Sequence, residues 1–408
     1  MITYGLCGRT LRHSYSKIIH EYLGNSGYKL LSLEKDELYE LFESKGFKAL
    51  NVTIPYKQDA LMLCDVVSDE AKAIGSVNTV VNKNGKLYGY NTDIDGMRLL
   101  AKKAGISLSG KKVLVLGSGG TSLTARALAK SEGAKEILVV SRSGEVNYDN
   151  VYDESDAEII INTTPVGMFP NNGKAAVDLS RFPKLTGVLD AVYNPLKTEL
   201  ILEAESLGIP AAGGLFMLVA QAKRAEELFF DKVIADEENE RVYRTLMQSF
   251  RNIVLIGMPG CGKTTVGKAL AKKLGREFVD IDALIEKNAK KSIPEIFAND
   301  GEEVFRRFET EAAIEAGKMT GKIIACGGGI VTRERNYRPL KQNALIVRLV
   351  RSLDRLAMDG RPLSSSRERL TEMQKEREPL YLRFADVSFE NNTTIEDLTE
   401  KILEEFNK

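Results

Sequence analysis

The sequence predicts an α/β chain built on parallel sheets and divided into two or three domains. Three observations carry this. At 408 residues the chain is too long for one hydrophobic core. Twice, a short apolar run leads through a glycine-rich turn into apolar residues at helical spacing. The first is 112–116 followed by Gly117-Ser118-Gly119-Gly120-Thr121-Ser122; the second is 252–256 followed by Gly257-Met258-Pro259-Gly260-Cys261-Gly262-Lys263-Thr264-Thr265. Strand and helix patterns alternate around both, as βαβ units do.

Composition narrows the class. A hydrophobic share of 43% suits globular domains. Lys+Arg and Asp+Glu are 57 each, so the net charge is zero, which excludes a nucleic-acid protein held mainly by phosphate neutralisation. No apolar run reaches the ~18 residues needed to span a bilayer. The N-terminus has no basic segment followed by an apolar one, so no secretion signal is expected. Cys7, Cys64, Cys261 and Cys326 are scattered and form no C-x-x-C pair, so neither a zinc site nor a disulfide framework is expected. A cytoplasmic location follows. His13 and His20 lie close together; a capping or polar surface role is favoured over a metal pair.

Residues 2–7 read as a buried strand, and helix and strand patterns alternate to about residue 100. The runs 77–81 and 86–90 flank Asn84-Gly85, whose acceptance of positive φ predicts a tight hairpin turn. Two polar clusters end apolar strands: Asn51-Val52-Thr53-Ile54-Pro55-Tyr56-Lys57 and Gly89-Tyr90-Asn91-Thr92-Asp93.

The middle third opens with a βαβ unit of about thirty residues, the dinucleotide-binding pattern. Gly117 and Gly119 follow its first strand, and Ser122 stands in place of the third glycine. Its second strand, 136–140, ends in Ser141-Arg142-Ser143. An acidic residue there would bond the ribose 2′-hydroxyl of NAD; a guanidinium between two hydroxyls suits a 2′-phosphate, so NADP is predicted. Glu145, close behind, keeps NAD as the competing choice. Runs at 158–161 and 187–189 extend the parallel sheet, and 216–242 reads as helices. Hydride reduction of a carbonyl needs a proton donor, and a lysine positioned by a carboxylate would serve, although Lys57 and Asp93, taken singly, read more readily as surface charges. The main boundary is placed near residue 250, although the charged run 231–241 equally suits a solvated helix face.

Residues 257–265 fit the phosphate-cradling loop GxxxxGK[ST]. Backbone N–H groups from Gly260 to Thr265 would surround phosphate, Lys263 would reach its terminal oxygens, and Thr264 would ligate Mg²⁺. A nucleoside triphosphate is therefore expected. Phe278-Val279-Asp280-Ile281-Asp282 reads as a strand whose carboxylates, at i and i+2, share one side; Asp280 is the expected Mg²⁺ partner. A helix N-cap at Asp282 is the competing reading. Ser292 and Glu295 form a capping box with Pro294 in the first turn. Arg306 and Arg307 follow on a further helix, free to bind a carboxylate or to lie in solvent. The strand 323–326 ends in Gly327-Gly328-Gly329, which permits close backbone approach. Asp359-Gly360-Arg361-Pro362-Leu363, before Ser364, Ser365 and Ser366, reads as an arginine-bearing lid. No guanine-reading Asn-Lys-x-Asp segment is present, which disfavours a GTPase.

On these motifs, residues 1–250 resemble shikimate dehydrogenase along nearly their whole length. The matching segments are 5–8, 13–16, 51–57, 75–80, 90–93, 117–121, Asn162-Thr163-Thr164-Pro165-Val166-Gly167-Met168, Asp190-Ala191-Val192-Tyr193-Asn194-Pro195 and 214–221. Residues 251–408 resemble shikimate kinase, Arg377-Glu378-Pro379-Leu380-Tyr381 matching its R-x-x-x-Y run. The first resemblance implies a catalytic pair, Lys57 and Asp93. It implies substrate contacts from Ser14, Ser16, Thr53, Asn78, Tyr193 and Gln221. It implies NADP(H) contacts from Gly117, Ser118, Gly119, Gly120, Thr121, Ser141, Arg142, Ser143, Ala191 and Gly214. The second implies shikimate binding by Asp282, Arg306, Gly328 and Arg377, with Asp282 orienting the attacking hydroxyl. ATP and Mg²⁺ would be managed by Gly260, Cys261, Gly262, Lys263, Thr264, Thr265, Asp280 and Arg361.

The chain departs from the dehydrogenase pattern at Thr10 and Lys17, where proline is usual, and at Glu21 and Ser141, where asparagine is usual. The implied division is a three-layer substrate domain (1–101, rejoined by helices at about 215–248), a Rossmann NADP-binding domain (102–214) and a P-loop kinase domain with a parallel sheet (251–408). The implied partners are 3-dehydroshikimate and shikimate, with no nucleic acid or membrane; oligomeric state is left open. Two rival readings are a quinate-preferring, NAD-linked dehydrogenase half and a non-catalytic sensor built from degenerate copies.

Overall fold

A computed structural model describes residues 2–11, 14–356 and 367–408. His13, Arg361, Ser364, Ser365 and Ser366 lie outside the described residues, and with them the expected lid. The chain divides into two compact units, Met1–Thr245 and Leu246–Lys408. The division falls within the span of the amphipathic helix Glu237–Phe250, whose Val242 and Leu246 are buried between exposed charges.

The first unit holds two sheets. The first has six strands in the order Tyr28–Ser32, Ile2–Gly8, Phe47–Val52, Thr79–Lys83, Lys86–Tyr90, Val66–Val67. Its first three strands are parallel, and the hairpin at Asn84-Gly85 supplies antiparallel pairs. Asn84 and Gly85 have φ of 55° and 81°, as the tight turn requires. Apolar clusters cover both faces, one containing Leu38, Phe42 and Leu50, the other Leu6, Tyr28 and Phe229. Phe229 comes from the helix Leu215–Phe230, far along the chain, so the first sheet is completed only when the chain returns.

The second sheet is wholly parallel: Ala211–Ala212, Gly187–Asp190, Ile159–Asn162, Lys112–Leu116, Glu136–Val140. Its central strands are Val, Ile and Leu runs buried on both faces, as crossover helices demand. Strand order reverses beside Lys112–Leu116, so the glycine turn after it opens at the crevice where doubly wound sheets bind ligands.

The second unit repeats this logic with five parallel strands: Phe278–Asp280, Ile323–Ala325, Asn252–Ile256, Ala344–Val350, Val387–Glu390. Asn252–Ile256 is completely buried, and the phosphate-loop sequence leaves its end for the helix Lys263–Leu274. One expectation is corrected here. Asp280 and Asp282 do not share a strand: the strand ends at Asp280, and Asp282 lies in the first turn of the helix Ile281–Ala289. Asp280 is the N-cap, its Oδ1 accepting the Asp282 N–H at 3.0 Å, and this local bond outcompetes continued extension.

Candidate active sites

A cavity of about 690 Å³ opens at the carboxyl ends of both sheets of the first unit. It is lined by Ser14, Ser16, Thr53, Lys57, Asn78, Asp93, Thr121, Ala191, Tyr193, Gly214 and Gln221. Two helices must approach closely for this. A Cβ on Gly96 would stand 2.5 Å from the Met217 carbonyl oxygen, so glycine there lets the helix Asp93–Lys103 press against Leu215–Phe230. Asp93 and Gln221 thereby share one wall.

The Lys57 ammonium donates to Asp93 Oδ2 at 2.5 Å, and Asn78 Nδ2 donates to Asp93 Oδ1 at 2.9 Å. A lysine held this way is a proton donor with a fixed direction. Around it hydroxyl and amide groups of Ser14, Ser16, Thr53, Asn78, Tyr193 and Gln221 share the lining with apolar residues such as Leu11, Val52, Met217 and Leu218, a mixture that suits a small polyol acid with a carbon ring. Tyr193, in the lining, packs against Tyr15 with ring centroids 5.3 Å apart. Burial first, then Tyr193, pushes the Tyr15 hydroxyl up to about 12.

The glycine turn lies beside this wall. Gly117 has φ +104°, and its N–H donates to Val140. A Cβ on Gly119 would meet no protein atom within 4 Å, and one on Gly120 would stand 3.9 Å from Lys57 Cδ. Space for a phosphate-sized group therefore adjoins the lysine, at the N-terminus of the helix Gly120–Ser131. Gly117, Ser118, Gly119, Gly120, Ser141, Arg142 and Ser143 are not cavity-lining residues. Arg142 is exposed. Burial raises the pKa of Tyr148, and the nearby Arg142 charge opposes that rise. Under the cavity loop, buried Asp190 accepts from Val192 N–H and Asn162 Nδ2, both at 2.9 Å, and from Thr198 Oγ1 at 2.6 Å. Burial nonetheless lifts its carboxyl to about 6.

The second unit has a cavity of about 530 Å³, lined by Gly260, Gly262, Lys263, Thr264, Thr265, Asp280, Asp282, Arg306, Gly328 and Arg377. Lys263 Nζ donates to the Gly257 and Met258 carbonyls at 2.9 and 3.0 Å. Thr264 Oγ1 stands 3.4 Å from Asp280 Oδ2, a hydroxyl–carboxylate pair suited to a hard divalent cation. Cys261 is buried rather than lining; its N–H donates to the Met258 carbonyl and its own carbonyl accepts from Asn391 Nδ2 at 2.7 Å.

Of the two adjacent arginines, Arg307 is exposed and Arg306 is buried. Arg306 donates to Glu309 Oε2 at 2.9 Å and Glu302 Oε1 at 3.0 Å. Burial disfavours its charge, but the two carboxylates more than offset this and raise its pKa. Each glycine of the triplet makes room for a different neighbour. A Cβ on Gly327 would stand 2.7 Å from Asp282 Oδ1, one on Gly328 2.7 Å from Pro259 Cδ, and one on Gly329 would overlap the Arg306 guanidinium. The expected close approach is thus made by the protein's own site residues. Arg377 Nη1 and Tyr381 OH both donate to the Gly328 carbonyl, at 3.0 and 2.5 Å.

Several lining or supporting groups were not singled out by sequence. Glu309 and Tyr381 were each signalled by spacing: Arg306–Glu309 at i, i+3 and Arg377–Tyr381 at i, i+4 place both pairs on one helix face. Asn51 lies in the polar cluster 51–57, but the bonds that join Asn51 to Tyr28 and Thr79 link segments that only folding brings together. His20, expected at the surface or capped, is instead buried against Glu226.

Comparison with known proteins agrees with this geometry. Shikimate dehydrogenase (NADP(+)) of Clostridium perfringens is 35% identical over 271 residues, covering 61% of this chain and 100% of that protein. The chain belongs to the shikimate dehydrogenase family. Residues 6–80 match the family model described as shikimate dehydrogenase substrate binding domain, and residues 259–407 match shikimate kinase. The chain therefore fuses a shikimate dehydrogenase segment to a shikimate kinase segment. The crystal structure of shikimate 5-dehydrogenase from Thermus thermophilus in complex with NADP(H) and shikimate is 28% identical, with a TM-score of 0.54 over 60% of this chain and 99% of that one. Quinate dehydrogenase from Corynebacterium glutamicum in complex with NAD is also 28% identical, with a TM-score of 0.54 over 60% and 98%. Backbone likeness is equal for the two, so cofactor choice rests on local residues. Among the described residues no helix is long and apolar enough to cross a membrane.

Proposed function

We propose that the chain performs two consecutive reactions on one cyclohexene carboxylate. The dehydrogenase unit reduces 3-dehydroshikimate to shikimate with NADPH, and the kinase unit phosphorylates the 3-hydroxyl of shikimate with ATP and Mg²⁺. The observation that carries the first half is the Lys57–Asp93 pair, in the lining of a cavity that also presents Ser14, Ser16, Thr53, Asn78, Tyr193 and Gln221 and lies beside the glycine turn.

NADPH, when bound, supplies the hydride. Lys57 gives its proton to the oxygen that becomes the new hydroxyl, and Asp93 keeps the ammonium charged and pointed until then. Ser14, Ser16, Thr53, Asn78, Tyr193 and Gln221 hold the substrate's hydroxyls and carboxylate. Gly117, Ser118, Gly119, Gly120, Thr121, Ala191 and Gly214 hold the dinucleotide, and Ser141, Arg142 and Ser143 its 2′-phosphate. In the second unit Thr264 and Asp280 would hold Mg²⁺, whose role is to neutralise phosphate charge. Lys263 and the surrounding backbone N–H groups hold the triphosphate. Asp282 orients the attacking hydroxyl, while Arg306 and Arg377 clamp the carboxylate near Gly328.

The same reading divides the chain into a substrate domain (1–101 with about 215–248), a dinucleotide domain (102–214) and a kinase domain (251–408). Two separate sheets in the first unit, and the return of Leu215–Phe230 to the first of them, support it. Free Cys7, Cys261 and Cys326, all buried, support a reducing cytoplasm.

The test is incubation of the purified chain with 3-dehydroshikimate, NADPH, ATP and Mg²⁺, with product masses read out and each nucleotide omitted in turn. Lys57→Ala should slow reduction by about 10²–10⁴-fold and spare phosphorylation, and Lys263→Ala should do the reverse. A chain whose native form leaves both substrates unchanged is a sensor rather than an enzyme.

A further inference from the structure

Behind the Lys57–Asp93 pair runs a buried polar chain whose members beyond Asn78, Asn51 apart, do not line the cavity. We propose that Thr79 and Asn51, anchored by the buried pair His20–Glu226, are positioning residues for the catalytic carboxylate Asp93. The inference rests on the dehydrogenase reading of that cavity.

The direction of every link follows from its two ends. An ionised Asp93 only accepts hydrogen bonds. Its Oδ2 is taken by Lys57, so Oδ1 receives Asn78 Nδ2. Asn78 must then turn its oxygen away, where it accepts the Thr92 N–H at 2.7 Å and the Thr79 hydroxyl at 3.0 Å. With its one proton spent, the Thr79 oxygen accepts from Asn51 Nδ2 at 3.0 Å. Asn51 Oδ1 in turn accepts from Tyr28 OH at 2.7 Å. His20 stacks on the Tyr28 ring with centroids 3.8 Å apart and meets Glu226 through Nδ1. Asn25 Nδ2 steadies the same Glu226 oxygen at 2.9 Å. Reversing any one amide or hydroxyl would place donor against donor or acceptor against acceptor somewhere along the line.

The far end is costly to keep. His20 is 1% exposed and Glu226 0%, and Glu226 Oε2 has no hydrogen-bond partner among the described residues. Apolar side chains of similar volume commonly stabilise such a position more than a half-satisfied carboxylate does. A gain outside packing accounts for it. During reduction Lys57 loses its proton and Asp93 loses its cationic partner. A carboxylate held from behind stays aimed through that change, whereas one held only by Lys57 would drift.

The decisive pair is Thr79→Val, which keeps the shape and deletes the hydroxyl, against Thr79→Ser, which keeps the hydroxyl. Thr79 is fully buried and is not a cavity-lining residue, so it does not touch substrate. Thr79→Val should lower the dehydrogenase kcat about tenfold with the KM for 3-dehydroshikimate within about twofold of native. The primary isotope effect with deuterated NADPH should rise, because the reducing step becomes slower relative to product release. Thr79→Ser should restore kcat to within about threefold of native. Glu226→Gln should lower kcat by a smaller factor, with kinase turnover unchanged in all variants. Equal kcat for the Val and Ser variants, or a rise in KM alone, overturns the proposal. If Thr79→Val fails to fold, Tyr28→Phe takes its place, and native kcat and isotope effect in that variant overturn the proposal equally. Failure of the underlying reading looks different: the native chain would then show no 3-dehydroshikimate-dependent oxidation of NADPH.

Discussion

The two cavities solve the same recognition problem with opposite electrostatics. Among its described lining residues the dehydrogenase cavity pairs one lysine with one carboxylate, Lys57–Asp93, and its one further charge is Arg9, which faces Glu34. The kinase cavity is lined by Lys263, Asp280, Asp282, Arg306, Glu309 and Arg377. Its charges are already engaged: Arg306 with Glu302 and Glu309, Lys263 with loop carbonyls, Arg377 with the Gly328 carbonyl. The difference tracks the reactions. A carbonyl reduction must manage one developing negative charge, whereas phosphoryl transfer must manage a triphosphate and its spread of charge in the transition state. The first calls for one aimed proton, the second for many pre-placed charges.

The largest effect expected from breaking this contrast is on the kinase side. Gly329→Ala drives a methyl group into the Arg306 guanidinium, which Glu302 and Glu309 hold in place. Shikimate phosphorylation should fall about 10²-fold in kcat/KM, mostly through KM, with reduction unaffected. Unchanged kinase kinetics would show that Arg306 need not sit where its carboxylates hold it.

A smaller effect is expected where the dehydrogenase unit keeps an exposed cation away from its cavity. Arg142→Ala should lower the NADPH-over-NADH preference by about tenfold, the loss of one charge-assisted contact, and leave kcat with NADPH largely intact. Steady-state rates with both cofactors measure it. Preference that survives the substitution would return the choice to NAD and Glu145.

The smallest effect concerns one buried carboxylate beside the dehydrogenase cavity. Burial raises the Asp190 carboxyl from 3.8 to about 6 in the folded chain. The folded state therefore binds the proton more tightly than the unfolded one, and stability falls as pH rises through that window. Asp190→Asn removes this loss. Its melting temperature relative to native should climb by a few degrees between about pH 4 and about pH 7. A gap that stays constant would mean that the Thr198, Asn162 and Val192 bonds keep Asp190 ionised throughout.

Legibility in the sequence followed the range of the interactions. The hairpin at Asn84-Gly85, the capping box Ser292–Glu295 and both glycine turns are made by neighbours, and each reads directly from composition and spacing. The run 278–282 was misread because alternation of apolar and acidic residues suits a strand as well as a helix start. Only the Asp280 side chain closing on the Asp282 N–H separates them.

The sequence by itself therefore determined the α/β class, the two phosphate-binding turns and the residue types that could carry hydride-linked proton transfer and phosphoryl transfer. Those features depend on backbone conformations and periodicities that span a few residues. The tertiary structure alone decided which of these groups meet. Asp93 shares a wall with Gln221 because two helices close over Gly96, and His20 meets Glu226 across 206 residues because the helix Leu215–Phe230 returns to the first sheet. Such pairs form only when burial of distant apolar faces brings the segments together, so nothing in the spacing of their residues announces them.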